Sequence, residues 1–211
     1  MRVAEIWRYP AKSLAGERLE RAQLSANGIS GDRIVHVRGA DGRVVSARTH
    51  PGLLGLHGTL DADGTPLVEG RPWTAHEVRK AVRVAAGDDA RLVRDDGPER
   101  FDVMPLLVAT DGSIARLGVD SRRLRPNIIV AGVDGLDERT WPGRRLRMGD
   151  AIIAVAQLRR RCVMTTFDPD TQAQDLGVLR RIVKEFDGRL ALDCEVITAG
   201  ELAVGDPVEL L

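Results

Sequence analysis

The sequence predicts a mainly β fold, a partly closed β-barrel carrying a few α-helices. Three observations predict it. Short runs cut by glycine turns fill the first hundred residues or so, apolar runs return beyond residue 125, and helical spacing appears in only two stretches. A chain of 211 residues is long enough to bury a sizeable core as one large domain or two small ones.

Element by element, "RVAEIWRY" alternates and reads as a strand that Pro10 and Gly16 then break. "RLERAQLS" follows with a looser alternation at Leu19, Ala22 and Leu24. "RIVHVRGADGRVVSAR" carries a hairpin signal, because Asp41-Gly42 suits the positive backbone angles of a tight turn between β-branched runs. "LHGTLDADGTPLVEG" repeats that logic around Asp63-Gly64, and "AVRVAAGDDARLVRD" reads as the last strand of the first half. "DGSIARLGVD" is a short helix with Asp111 or Ser113 as N-cap, ending near Gly118. "RPNIIVAG", "RRLRMGDAIIAVAQ", "LDCEVITAG" and "LAVGDPVELL" are strands, with Gly149-Asp150 and Gly205-Asp206 as hairpin corners. Between them, 174–187 is the stronger helix. Leu176, Leu179, Val183 and Phe186 recur at helical spacing, Ile182 widens the stripe, and Gly188 is the C-cap candidate.

Lys plus Arg and Asp plus Glu both number 31, so the net charge is zero and general nucleic-acid binding is not expected. Two cysteines make no disulfide framework in a chain of this size. No secretory leader and no apolar run of about 20 residues is visible. The expected setting is a reducing cytoplasm, away from membranes, with both thiols free. Cys194, in line with Leu192 and Val196 by period two, is expected in the core.

Four clusters carry candidate chemistry: Pro10-Ala11-Lys12-Ser13, Gly31-Asp32-Arg33, Arg125-Pro126-Asn127, and "LRRRCVMTTFDPDT" over 158–171. Lysine, arginine and serine at loop corners suit an anionic ligand such as phosphate, because they supply charge-assisted hydrogen bonds. Basic side chains beside Cys162 would favour its thiolate, the nucleophilic and metal-binding form. From these residues alone, Cys162 reads equally as a small buried hydrophobe with Arg159, Arg160 and Arg161 facing solvent. Asp168 and Asp170, flanking Pro169, read more readily as a turn than as an acid–base pair. No glycine-rich phosphate loop occurs, and His36, His50, His57 and His76 lack metal-ligand spacing.

Taken in order, "YPAKSLAGE", "GDR", "RPNIIVAG", "RCVMTTFDPDT" and "VGDPVEL" resemble the MOSC domain with its N-terminal β-barrel partner. That family is similar to the C-terminal domain of molybdenum-cofactor sulfurases and includes amidoxime-reducing molybdenum enzymes. The resemblance implies two closely packed regions, 1–95 and 96–211. It implies Cys162 as the catalytic molybdenum thiolate of a bound molybdopterin cofactor. Lys12, Ser13 and Arg33 would hold the pterin and phosphate, with Arg125 and Asn127 on the phosphate side. Thr110, Ser113, Thr165 and Asp168 would lie near the same cofactor. Pyridoxal phosphate binding is a further family-level association. Two departures stand out: Gln172 follows Thr171 where relatives have glycine, and Arg160 replaces a small residue or cysteine. The chain is also shorter than those enzymes between about residues 65 and 100. The implied function is reduction of small N-oxygenated compounds with electrons from a separate donor protein. A persulfide carrier built on Cys162 and a non-enzymatic cofactor carrier are the alternatives.

Overall fold

The computed structural model describes residues 1–97 and 100–211. In the first half the strands are β1 (Arg2–Arg8), β2 (Glu17–Leu19), β3 (Arg21–Ser25), β4 (Gly28–Ile29), β5 (Val35–Arg38), β6 (Gly58–Leu60), β7 (Pro66–Val68) and β8 (Arg71–Pro72). Helix α1 (His76–Ala86) and strand β9 (Arg91–Arg94) follow. The second half runs β10 (Leu106–Thr110), α2 (Asp111–Leu117), β11 (Ile128–Ala131), β12 (Arg145–Met148), β13 (Ala151–Arg160), α3 (Leu176–Phe186), β14 (Arg189–Thr198), β15 (Gly200–Ala203) and β16 (Val208–Leu210).

The expected mainly β class with a few helices is what the chain adopts, but its sheets do not close into a barrel. The main sheet is open and eight-stranded, in the order β16-β12-β13-β14-β10-β11-β1-β2. Its two edge strands, β2 and β16, are three residues each, too short to pair around and seal it. Every pairing in it is antiparallel except β10 with β11. The N-terminal strands β1 and β2 complete this sheet, so the first residues of the chain lie beside the last third. Three small sheets, β15-β3-β4, β5-β9 and β6-β7-β8, surround it.

At its central strand β10 the main sheet is buried on both faces. On β10, Leu106 and Val108 enter one apolar cluster with Ile6, Ile128 and Leu192, while Leu107 and Ala109 enter another with the helices α2 and α3. That two-sided burial is why "LLVAT" is a continuous apolar run without alternation, and why β10 has no period-two signal. A third cluster, around Leu14, Val35, Leu53 and α1, forms the body of the first half, and Phe167 reaches into it. Cys194 is fully buried as expected, and burial pushes its thiol pKa up.

Several local expectations are corrected. Residues 76–86 form α1, where "AVRVAA" read as strand. Val78, Val82 and Ala86 share its buried face at four-residue spacing, but Ala75 offers no capping side chain, so the start signal is missing. The N-cap of α2 is Thr110, whose Oγ1 accepts from the Ser113 backbone N–H at 3.2 Å. Asp111 accepts instead from the backbone N–H groups of Gly132 and Val133. In α3 the buried face is Val178, Ile182 and Phe186, whereas Leu176 and Val183 are exposed, and Asp187 in the left-handed region is the C-cap. The Asp63-Gly64 hairpin forms between β6 and β7. Around Gly42 the chain does turn back, with the Gly39 N–H donating to the Arg43 carbonyl at 3.0 Å, the Val45 N–H to the Val37 carbonyl at 2.8 Å, and Arg38 bridging Val44, but the extended ladder of β5 is with β9. Gly149-Asp150 does join paired strands, β12 and β13. Gly205-Asp206 instead carries the chain from β15 in a small sheet to β16 at the edge of the main one.

Candidate functional site

A cavity of about 340 Å³ opens where the first-half body meets the main sheet. Lys12, Ser13, Arg33, Ser46 and Arg48 line it from one side. Arg125, Asn127, Gln157, Arg159, Arg160, Arg161, Cys162 and Asp193 line it from the other, with residues 101–104 beside them. The four clusters named from the sequence therefore meet at one place, although they span about 150 residues. Seven cationic side chains face two carboxylates, Asp102 and Asp193.

Local backbone geometry aims several of these residues. Ser13, Arg33 and Arg125 have φ of +74°, +54° and +54°, the left-handed region that costs a non-glycine residue about 1–2 kcal/mol. The strain at Arg33 is held by its N–H, which donates to the Tyr9 carbonyl at 2.8 Å, and by His36 Nε2 at 3.0 Å from its own carbonyl. Asp32 is the hub behind it. Its fully buried carboxylate accepts from the Tyr9 N–H at 2.7 Å, from Asn127 Nδ2 at 3.1 Å and from the Arg33 guanidinium. Asn127 also accepts from the Leu107 N–H at 3.2 Å, so its amide ties β10, β1 and Asp32 together.

The cysteine segment is equally built. Strand β13 delivers Arg159 and Arg160, and a 3₁₀ turn over Val163–Thr166 follows Cys162. Thr165 donates to the Cys162 carbonyl from both its N–H, at 3.1 Å, and its hydroxyl, at 2.9 Å, which fixes the backbone carrying the thiol. Cys162 is half-buried and lines the cavity. Behind it, Arg123 grips the Thr166 carbonyl and Asp168, and Arg122 holds Asp170 through two bonds of 2.8 and 2.7 Å. Gln172 takes φ +57°, so the chain keeps at that position a conformation natural to glycine.

Charge is not evenly compensated. Asp102 sits 2.8 Å from Lys12 Nζ and 2.6 Å from Arg48, with Arg159 at 3.8 Å, and these cations hold its carboxyl pKa down against its burial. Arg159 also pairs with buried Asp193 at 2.9 Å. Arg125 and Arg161 make no ion pair among the described residues. Burial pushes each guanidinium down to about 10. Arg125 lies over the Tyr9 ring at 4.3 Å, and Arg161 Nε is buried with no hydrogen-bond partner. Two desolvated cations without counter-ions, opening on one cavity with a thiol, make a site for an anion.

The MOSC N-terminal beta barrel domain model matches residues 1–114, and the MOSC domain model matches 106–209. The chain belongs to the MOSC family. Mitochondrial amidoxime reducing component 2 of Macaca fascicularis is 27% identical, covering 98% of this chain and 82% of that protein. The human amidoxime-reducing component 1 is 26% identical over 99% and 82%. These alignments run over 277 and 280 positions, so the relatives carry insertions relative to this chain. Among solved structures, the YUAD protein from Bacillus subtilis superimposes with a TM-score of 0.55 at 14% identity, covering 99% of this chain and 94% of that one. That likeness is one of fold.

Of the residues singled out in this MOSC protein, Lys12, Ser13, Arg33, Arg125, Asn127 and Cys162 line the cavity, and Thr110, Ser113, Thr165 and Asp168 do not. Thr110 and Ser113 are fully buried at the start of α2 and bond to each other at 3.0 Å. Asp168 closes its own loop, accepting from Asp170 and Thr171, and those bonds lower its carboxyl pKa. Sequence reasoning missed Arg48, Asp102 and Asp193. Nothing around them in sequence marks them, because only the fold brings them to the cavity. Arg159 and Arg161 lay within the quoted cysteine stretch and were legible there. No histidine lines the cavity, so no cysteine–histidine pair forms there. Among the described residues no group of three or more His, Cys, Asp or Glu is placed to hold a metal ion, and no helix is long and apolar enough to cross a membrane.

Molybdopterin asks for something different from such a cluster: one soft thiolate and a cradle for an anionic phosphate. Cys162, the unpaired guanidinium groups and the orphaned Arg161 Nε fit that demand.

Proposed function

We propose that this MOSC protein is a molybdenum-cofactor-dependent reductase of small N-oxygenated compounds. The observation that carries the reading is the placement of Cys162 in one cavity with Arg125 and Arg161, two desolvated cations that have no counter-ion among the described residues. The amidoxime-reducing names of the relatives point to the same chemistry. In this reading Cys162 supplies the protein thiolate, and Arg125 and Arg161 receive the cofactor's anionic end. Lys12, Ser13 and Arg33 line the opposite wall, while Asn127 and Asp32 keep that wall in register. When bound, molybdenum supplies the two-electron exchange that turns N–OH into N–H, the oxygen leaving as water with two protons and the electrons coming from a separate donor protein. The chain's own work is to hold, orient and desolvate. A persulfide carrier would need the thiol but not the cationic cavity, and the relatives' names speak neither for it nor for pyridoxal phosphate.

Protein made in a molybdopterin-producing host is expected to carry close to one molybdenum per chain and to reduce an amidoxime when given electrons. Cys162→Ala is expected to abolish that turnover with an unchanged melting temperature. A wild-type rate in Cys162→Ala would remove the thiol from the mechanism. Stoichiometric molybdenum without turnover would leave a cofactor carrier in place of an enzyme.

A further inference from the structure

Of the seven cations lining the cavity of Cys162, one has no use so far. Lys12 and Arg48 pair with Asp102, Arg33 with Asp32 and Arg159 with Asp193. Arg125 and Arg161 are the two that the reductase reading gives to the cofactor's anionic end. Arg160 is left. It is exposed where it lines the cavity, and its guanidinium makes no hydrogen bond or ion pair among the described residues.

The sheet sets a second guanidinium beside it. Arg160 closes β13 opposite Arg189, which opens β14, and residues paired across an antiparallel ladder project from the same face. Arg189 is exposed, and its side chain also has no partner among the described residues. Like charges directly opposite each other destabilise a sheet, and an anion held between them would reverse that effect. The distance to the thiol is short. Cys162 follows two residues later with an extended backbone, φ −133° and ψ −177°. At about 3.3 Å of rise per extended residue, the Cα atoms of Arg160 and Cys162 stand about 6–7 Å apart.

We propose that Arg160, with Arg189 beside it, selects substrates by a carboxylate, so that the compounds preferred at Cys162 are N-oxygenated ones carrying a carboxylate on a short chain. The planar guanidinium fork matches a carboxylate through two parallel N–H···O bonds. A short carbon spacer lets the carboxylate rest at the rim while the N–OH group enters toward the thiol. The preference for a carboxylate is a claim about binding at this rim; that the bound compound is reduced rests on the reductase reading.

Protein purified from a molybdopterin-producing host is titrated by calorimetry with two compounds, 4-amino-4-(hydroxyimino)butanoate and its neutral primary amide. They match in size and in the amidoxime, and differ in charge. The carboxylate is expected to bind about five- to tenfold more tightly at low salt, as suits an exposed charge pair with a bidentate fork, and less so as salt rises. Arg160→Ser is expected to bring the two affinities within about twofold of each other, with molybdopterin content unchanged. Arg160→Lys keeps the charge without the fork and is expected to retain part of the preference. Equal affinities in the wild type, no measurable binding of either compound, or a preference that survives Arg160→Ser would overturn the proposal. So would a loss of molybdopterin in Arg160→Ser, since the residue would then serve the cofactor. If Arg160→Ser melts early, Arg160→Gln, which keeps the length of the side chain, takes its place with the same outcomes. Selection of the carboxylate without turnover of either compound would sink the reductase reading alone.

Discussion

The two walls of the main cavity differ in how their charge is compensated. On the first-half side, Lys12 already faces Asp102, and Arg33 faces the buried carboxylate of Asp32. On the sheet side, Arg125 and Arg161 have only a ring face, a carbonyl and open space. Both walls are basic in sequence, yet only one is short of counter-ions. The difference teaches that cations paired with carboxylates act as scaffold, and that the gain from binding an anion falls to the cations left unpaired.

The largest expected effect tests the compensated wall. Asp32→Asn leaves the Arg33 guanidinium without its buried counter-ion, which costs about 3 kcal/mol or more when one partner of a buried pair is removed. Chemical denaturation should show that loss; a stability within 1 kcal/mol of wild type would mean the pair is not a scaffold. Next comes the uncompensated wall. Arg125→Ala removes a charge-assisted contact of about 1.5–3 kcal/mol, so molybdopterin retention should fall roughly ten- to a hundredfold without loss of thermal stability. Lys12→Ala should cost at most about fivefold, because its partner keeps Arg48 and the pair is partly exposed. Pterin fluorescence released from equal amounts of each variant decides the matter. Equal losses in both variants would erase the distinction between the walls.

The smallest effect is a pH dependence. His36, behind Arg33, has its pKa lowered chiefly by burial and then by Lys12. A base whose folded pKa is depressed stays neutral in the native state while the unfolded chain takes up a proton. Its contribution is therefore complete above the unfolded value, about 6.5, and is lost as pH falls below it toward the lower folded value. Wild type should lose stability relative to His36→Gln as pH drops from 7 to 5. Parallel pH profiles for the two proteins would show that this histidine does not titrate with unfolding.

How much of this was readable in the chain varies by feature. The strands with a turn residue at each end, the Asp63-Gly64 hairpin and the core position of Cys194 follow from short-range patterns, and they stand in the fold. Helix α1 was hidden because its valines sit in a stretch that also alternates and its start has no cap. On α3 the sequence pattern caught Ile182 and Phe186, which are buried, but it took Leu176 and Val183, apolar yet exposed, in place of Val178, which only packing against β14 selects.

The sequence by itself determined that lysine, arginine, asparagine and cysteine would be available at loop corners and strand ends, because those motifs are local. The tertiary structure decided that four of those clusters face one cavity, that Thr110, Ser113 and Asp168 turn to the scaffold, and that the main sheet stays open. It also decided which cations keep a counter-ion. Asp102 meets Lys12 across about ninety residues of chain, and no local pattern encodes a pairing that only the packing of the first-half body against the main sheet brings within hydrogen-bond distance.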